Sequence, residues 1–260
     1  MPESSTARFY DELAGDYHLI YPDWAASVRR QGAALDALVG RERAEVLDCS
    51  CGIGTQAIGL ALRGHRVVGT DLSVRAAARA GREAARLGVA LPTAAADMRR
   101  LPFPGGRFDA VVCADNSLPH LLTEPDVRAA LGEMRRVLRP GGRLLVSTRP
   151  YDELLRERPV STPPQVHEPA DGTGRTVTFQ LWRWQADGER YELEHFQLVP
   201  AREGEGQWEV RVRRAAYWAL GRERLAGFVA GAGFTDIAWL MPEETGFFQP
   251  LLTARAAAAD

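Results

Sequence analysis

The chain has 260 residues, 45% of them hydrophobic, and a formal charge of −2. That balance provides no global field to draw it to nucleic acid or an anionic membrane. No apolar run approaches the roughly 18 residues needed to span a bilayer, so neither partner is expected. Its length accommodates one domain with an elaboration. All 32 basic residues are arginine, and three cysteines cannot all pair, which fits a reducing cytoplasm. Cys49 and Cys51 form a C-x-C pair that no second pair or histidine cluster completes as a zinc site. We read them, and Cys113, as small buried side chains at strand ends and expect no metal.

In chain order, "MPESSTARFYDELAGDYHLI" has no apolar core flanked by basic residues, so no secretory signal is expected. Trp24, Val28, Leu35, Leu38 and Val39 recur at near-helical spacing and predict an amphipathic helix over 24–39. "AEVLDC" reads as a short buried strand, and residues 53–63 continue as helix. "HRVVGTD" is a second strand, and "SVRAAARAGREAARLG" is a helix opened by a Ser73 cap and closed by Gly88. "VALPTAAAD" is a poor third strand and "RFDAVVCAD" a clear fourth, with helix following from about Asp126 to Leu138. "RPGG" is expected to break the chain before "RLLVST" forms the fifth strand.

Strands alternating with helices over about 110 residues argue for a parallel sheet with helices on both faces, an α/β Rossmann-like architecture. Past Pro150 the pattern changes. "RTVTFQLWRWQ", "RYELEHFQLVP" and "QWEVRVRRAAY" alternate with period two between "ADGE" and "AREGEG", which predicts an antiparallel meander. Residues 157–175, rich in Pro and Gly, are the expected hinge into it. The α/β pattern resumes with helix at 221–230 and apolar "FTDIAWLM" and "FFQPLLTA", and the tail "RAAAAD" is expected to fray. The organisation expected is an N-terminal helical cap over 1–40, an α/β core over 41–150, the antiparallel insertion over 151–218, and completion of the core sheet over 219–260.

Gly52, Gly54 and Ala57 satisfy G-x-G-x-x-[GA], with Asp71 at a distance suited to a ribose. Such a turn lets backbone approach a ligand at a helix N-terminus. A dinucleotide and S-adenosylmethionine (SAM) both fit it. Two features separate them. Asp48 sits directly before the turn, where it would repel a pyrophosphate but suits the ammonium of a methionine moiety. Asp97, ending the third strand, can accept from an adenine amino group while the Met98 backbone reads the ring. Ligands in such sheets lie at the carboxyl ends of strands, where Asp48, Asp71, Asp97 and Asp115 all fall. Four acidic strand ends around one glycine turn favour a cationic ligand, and Cys49 and Leu72 belong to the same segments.

With these residues in view, the chain resembles the class I SAM-dependent methyltransferases, in particular the glycine N-methyltransferase and glycine/sarcosine methyltransferase group. "LDCSCGIGTQ" is similar to the family's glycine-turn motif. "FDAVVCADNSLPHL" and "RPGGRLLVSTRPYDELL" match its Asn-Ser-x-x-His and Arg-x-Tyr-Asp stretches through Asn116, Ser117, His120, Arg149, Tyr151 and Asp152. A meander after the fifth strand is also the family's habit. The likeness runs from about Tyr10 to Phe234. It implies that Asp48, Gly52, Gly54, Asp71 and Asp97 hold SAM and that Ala114 lines the methionine side. It places Asn116 and His120 near the transferred methyl and has Arg149 grip a substrate carboxylate. Tyr10, Tyr17, Tyr21, Trp24 and Arg30 are candidates to close over the site, with Tyr217 as pocket lining. "ADMRRLP" is closer to the wider methyltransferase class than to glycine methylation. The N-terminal segment is shorter than in the tetrameric animal enzymes, so a monomer or small homo-oligomer is expected.

The expectation is therefore a cytoplasmic N-methyltransferase acting on a small, carboxylate-bearing amine by in-line displacement. His120 and Asn116 would be the catalytic pair. An O- or C-methyltransferase of specialised metabolism is the alternative on the same scaffold. An NAD(P)-binding oxidoreductase is the alternative off it, though it would leave the two motif stretches without a role.

Overall fold

The computed structural model describes residues 4–21, 23–168, 175–201 and 207–257. Eleven strands and eight α-helices lie within them: α1 (Ser4–Leu13), α2 (Trp24–Val39), β1 (Glu45–Asp48), α3 (Thr55–Ala61), β2 (Arg66–Asp71), α4 (Val74–Arg86), β3 (Thr93–Ala95), β4 (Phe108–Cys113), α5 (Glu124–Val137), β5 (Leu138–Ser147), α6 (Tyr151–Glu157), β6 (Gln165–His167), β7 (Thr176–Trp184), β8 (Arg190–Pro200), β9 (Trp208–Trp218), α7 (Arg222–Gly231), β10 (Phe234–Leu240), α8 (Pro242–Thr245) and β11 (Leu251–Ala256). Tyr17–Ile20 and Leu118–His120 form 3-10 turns.

Seven strands make one sheet in the order β10-β11-β5-β4-β1-β2-β3, with β11 antiparallel to both neighbours. The Rossmann-like α/β sheet expected from the alternation is the one observed. Because β1, β4 and β5 are covered on both faces, they read as continuous apolar runs rather than alternating ones. Val46, Ala110, Val112 and Leu145 face α2, α3 and α4. Leu47, Val111, Leu144 and Val146 face α5 and α7. Caps fix the helix starts: Asp23 accepts from the Ala26 amide at 2.9 Å and Ser73 from the Ala76 amide at 3.0 Å.

Helices α2 and α3 pack through glycine. A Cβ on Gly32 would lie 2.5 Å from the Gly59 carbonyl carbon, and one on Gly59 would lie 2.4 Å from the Val28 oxygen. Gly32→Ala is therefore expected to force the helices apart and cost roughly 1–3 kcal/mol. A melting temperature unchanged from wild type would show that the contact yields freely.

"RPGG" does not break the fifth strand. β5 runs through it, pairing Leu138 with Phe108 and then Arg143 with Ala110, so a bulge absorbs the Pro-Gly-Gly. The insertion is a four-stranded antiparallel sheet, β6-β7-β8-β9. Its three long strands follow the predicted runs. The short β6 lies inside the stretch read as a hinge, where three residues carry too little alternation to be seen. Residues 169–174 of that stretch, 202–206 of the "AREGEG" turn and 258–260 of the tail lie outside the described residues. Among the described residues, no helix is long and apolar enough to cross a membrane, and no group of three or more His, Cys, Asp or Glu is placed to hold a metal ion.

Candidate active site

The strand order reverses at β1, which pairs with β2 on one side and β4 on the other. Loops leaving the carboxyl ends of β1 and β4 diverge there and open a crevice. Gly52 and Gly54 turn the chain at φ +52° and +95°, angles that favour glycine, and lead into α3. Asp71, ending β2, accepts from the Gly52 and Ser73 amides, each at 2.8 Å. The ribose-binding candidate thus also pins the glycine turn. Leu72 beside it is 40% exposed, Met98 is half-buried, and the thiols of Cys49, Cys51 and Cys113 are free and buried.

Asp48 is 1% exposed; one carboxylate oxygen accepts from the Ser50 amide at 3.3 Å, and Oδ2 has no partner. Burial pushes its pKa up to about 7 and that of Asp71 up to about 6; Asp115 is also raised, again by burial. Asp48 and Asp71, buried without a matching cation, fit a positively charged ligand; Asp115 is half-buried and feels the charge of Arg149. Asp97 differs. Burial works against its charge, but Arg99 more than offsets this, donating through Nε and a terminal nitrogen (2.6–3.1 Å) and holding the carboxyl below its ordinary value. Arg99 also reaches Asp126 at 2.8 Å. The carboxylate expected to be free for an adenine is thus already engaged by the arginine two residues on.

The N-terminal segment lies across this crevice. Asp11 accepts from the Ser73 hydroxyl at 2.5 Å, and Arg79 of α4 donates to the Ala14 and Gly15 carbonyls at 2.6 and 2.9 Å. Asp16 is held by Arg211 and Arg213 of β9, both at 2.9 Å. These ties aim Tyr17 and Tyr21 at Asp115 Oδ2, to which they donate at 3.3 and 2.8 Å. Trp24 donates to the Thr55 hydroxyl at the start of α3 (2.9 Å), and Arg30 stands at the wall of the adjoining cavity.

That cavity, about 390 Å³, lies between the N-terminal segment, the end of β4 and the inner face of the meander. Asp115 and Asn116 both hold left-handed backbone (φ +55° and +63°), a strained pair that re-aims the chain after β4 next to Ala114. The Asn116 side-chain oxygen accepts from the Arg149 amide at 3.1 Å, so Asn116 positions the residue after β5 as well as lining the cavity. Arg149 is half-buried, with its guanidinium 4.7 Å from the Trp182 ring and 5.2 Å from the Tyr217 ring. It donates to the Tyr191 hydroxyl at 2.9 Å and to Gln180 Oε1 at 3.3 Å. Among the described residues no carboxylate is in ion-pair contact with it, and Asp115 is the one whose charge it is near enough to influence.

His120 is placed differently from its expected role. It is half-buried and not among the described residues that line the cavity. A carbonyl only accepts, so the short contact to Ala216 O (3.2 Å) puts the proton on Nδ1, and Nε2 accepts from the Tyr10 hydroxyl at 2.7 Å. Burial lowers its pKa to about 3, and its ring packs 4.1 Å from that of Tyr217. Both nitrogens are committed, so the ring holds Tyr10 in place. Tyr191 and Gln180 were not singled out from sequence. The alternation in "RYELEHFQ" groups Tyr191 with His195 and that in "TFQLWRWQ" groups Gln180 with Trp182; the antiparallel register, with Gln180 opposite His195 and Trp182 opposite Leu193, brings all four to one face, which the sequence alone does not tell.

Residues 46–142 match the methyltransferase domain family model. Over that stretch, from β1 into β5, the chain resembles a class I SAM-dependent methyltransferase domain. The matches support SAM as the cofactor, and the unpartnered Asp48 oxygen beside a glycine turn at positive φ fits such a cationic ligand. Over 135 residues the chain is 40% identical to a glycine/sarcosine N-methyltransferase of Parasynechococcus marenigrum, covering 51% of this chain and 48% of the relative. It is 36% identical over 141 residues to a demethylmenaquinone methyltransferase of Thermus thermophilus, covering 53% and 62%. The chain thus spans about half the length of the curated relatives it matches. In fold it is similar to the CcbJ methyltransferase from Streptomyces caelestis, with a TM-score of 0.75, 20% identity, and 96% and 98% of the two chains covered. The SAM-bound amino pentose methyltransferase of Micromonospora echinaspora gives 0.70 at 22% identity, covering 89% and 92%.

Proposed function

We propose that the protein transfers a methyl group from SAM to the amine of a small, carboxylate-bearing acceptor. The observation that carries this reading is Arg149: a half-buried guanidinium in the cavity wall, lying over the Trp182 and Tyr217 rings, with no carboxylate in ion-pair contact among the described residues. A cation so placed awaits an anion, and its planar fork matches a carboxylate. The match to glycine/sarcosine N-methyltransferases supports the same acceptor class.

In this reading Asp48 accepts the cofactor's ammonium, Asp71 its ribose hydroxyls and Asp97, shared with Arg99, its adenine edge. SAM brings an activated methyl on a sulfonium, so the chain's task is alignment and exclusion of water. Tyr17, Tyr21 and Asp115 close the methionine side. Arg149 fixes the acceptor's carboxylate and, as a nearby cation, lowers the pKa of its amine so that the neutral form is available without a dedicated base. His120 and Asn116 act as positioning residues, for Tyr10 and Arg149 respectively. The N-terminal segment and the meander together form the cover over the acceptor.

The test is the product. The protein would be incubated with SAM and a mixed panel of α-amino acids, amino sugars, phenols and quinols, and the methylated species identified by mass spectrometry. N-methylated amino acid is the expected product. Methylation confined to carbon or oxygen acceptors would sink the reading and favour the chemistry of the demethylmenaquinone relatives.

A further inference from the structure

Gln180 lines the cavity from β7, and its side-chain oxygen accepts from two donors at once: the Arg149 guanidinium at 3.3 Å and the Trp182 indole N–H at 3.1 Å. Turning the amide over would set its NH2 against both N–H groups, so the orientation is fixed. The Nε2 end is then left as a donor in the cavity wall. Its backbone is equally constrained: the amide donates to the Thr162 hydroxyl and the carbonyl accepts from the Thr162 amide, each at 2.9 Å.

A glutamine at this place orients Arg149 without neutralising it. A glutamate would accept the same two hydrogen bonds, but it would give the guanidinium an internal counter-ion and put a negative charge in the wall. The choice of amide over carboxylate therefore keeps the arginine's charge for the ligand.

We propose that Gln180 is a specificity determinant of the acceptor site. It holds the Arg149 fork in register and presents its own Nε2–H as a further donor to the same anionic group. The site is thereby committed to a singly charged, planar acid, and one atom exchanged on Gln180 is enough to turn it toward a neutral ligand. This rests on the acceptor reading given above.

The test uses acetate and its neutral isostere acetamide as probes on the full chain saturated with S-adenosylhomocysteine. Dissociation constants would be read by ligand-observed NMR for wild type, Gln180→Glu, Gln180→Ala and Arg149→Met. Wild type is expected to prefer acetate by at least tenfold. Gln180→Glu should lose acetate binding by about 100-fold and equalise or reverse the preference, with S-adenosylhomocysteine affinity within threefold of wild type. Gln180→Ala should weaken acetate by about tenfold without reversal. If Arg149→Met abolishes acetate binding while Gln180→Glu leaves it intact, Gln180 has no such role and the acceptor reading stands. If wild type does not distinguish acetate from acetamide, the acceptor reading fails and the inference falls with it. A circular-dichroism melt of each variant separates loss of the site from loss of the fold.

Discussion

Asp48→Asn is expected to raise the stability of the ligand-free protein at pH 8 and, at the same time, to weaken SAM binding. The two effects have one cause. Asp48 is buried with Oδ2 unpartnered, and burial raises its pKa from 3.8 to about 7. A group whose folded pKa is raised contributes stability that is present below its unfolded pKa and lost as pH rises through the folded value. Between about pH 4 and 7 the folded protein therefore holds a proton that the unfolded chain has released. At pH 8 the ligand-free fold carries the cost of a buried, ill-paired carboxylate. Asparagine removes that cost, and a gain of about 1–2 kcal/mol would appear as a melting temperature higher by some 2–8 °C. Binding moves the other way. A charge-assisted hydrogen bond to the cofactor's ammonium is worth about 1.5–3 kcal/mol, so affinity should fall roughly 10- to 100-fold. In wild type the same affinity should decline as pH drops below about 7, and in the variant that decline should be absent. Calorimetric titrations at pH 6 and 8 beside thermal melts would decide it. A variant that is less stable at pH 8, or that binds SAM as before, would show that Asp48 is structural.

Arg149→Met should separate the two halves of the site. Methionine can lie over Trp182 and Tyr217 without a charge, and the fold is expected to survive because the Tyr191 hydroxyl keeps Tyr151 and the Gln180 oxygen keeps the Trp182 indole as partners. The KM for a carboxylate-bearing amine should rise at least 100-fold, because two charge-assisted bonds at about 1.5–3 kcal/mol each are lost. Affinity for S-adenosylhomocysteine should stay within threefold, since Arg149 contacts the meander and the end of β4 rather than the glycine turn. Steady-state kinetics with saturating SAM would measure the first, and calorimetry the second. Equal losses of both affinities would mean that Arg149 is a strut of the whole crevice.

How much of this was legible in the sequence follows from what each feature depends on. Strands buried on both faces announce themselves as short apolar runs, which is why β1, β2, β4 and the amphipathic α2 were readable with their ends nearly in place. The three long meander strands were readable because one face is wetter and the alternation survives. The carboxylates at strand ends were readable because topology alone brings β1, β2 and β4 to one crevice. What remained hidden depends on tertiary partners. Nothing local tells that Arg99 folds back onto Asp97, or that His120 spends both nitrogens on Tyr10 and a β9 carbonyl. The left-handed turn at Asp115 and Asn116 is imposed by Ser147 of β5, whose hydroxyl and carbonyl accept from the two amides at 2.8 and 3.2 Å. Trp182 lies in one of the alternating meander runs and Tyr217 was expected as pocket lining; both pack in the cluster under the meander, and the Arg149 guanidinium lies over both rings. A one-dimensional pattern gives the face of a strand, and the partner on that face comes only with the fold.

The most direct test of the central claim, that the glycine turn and its ring of carboxylates hold SAM in a working site, is calorimetric titration with S-adenosylhomocysteine and with NADH. Wild type and Asp71→Ala would be compared. Micromolar binding of S-adenosylhomocysteine to wild type, its loss in the variant, and no heat from NADH is the predicted result. Binding of NADH in place of S-adenosylhomocysteine, or of neither, would contradict it.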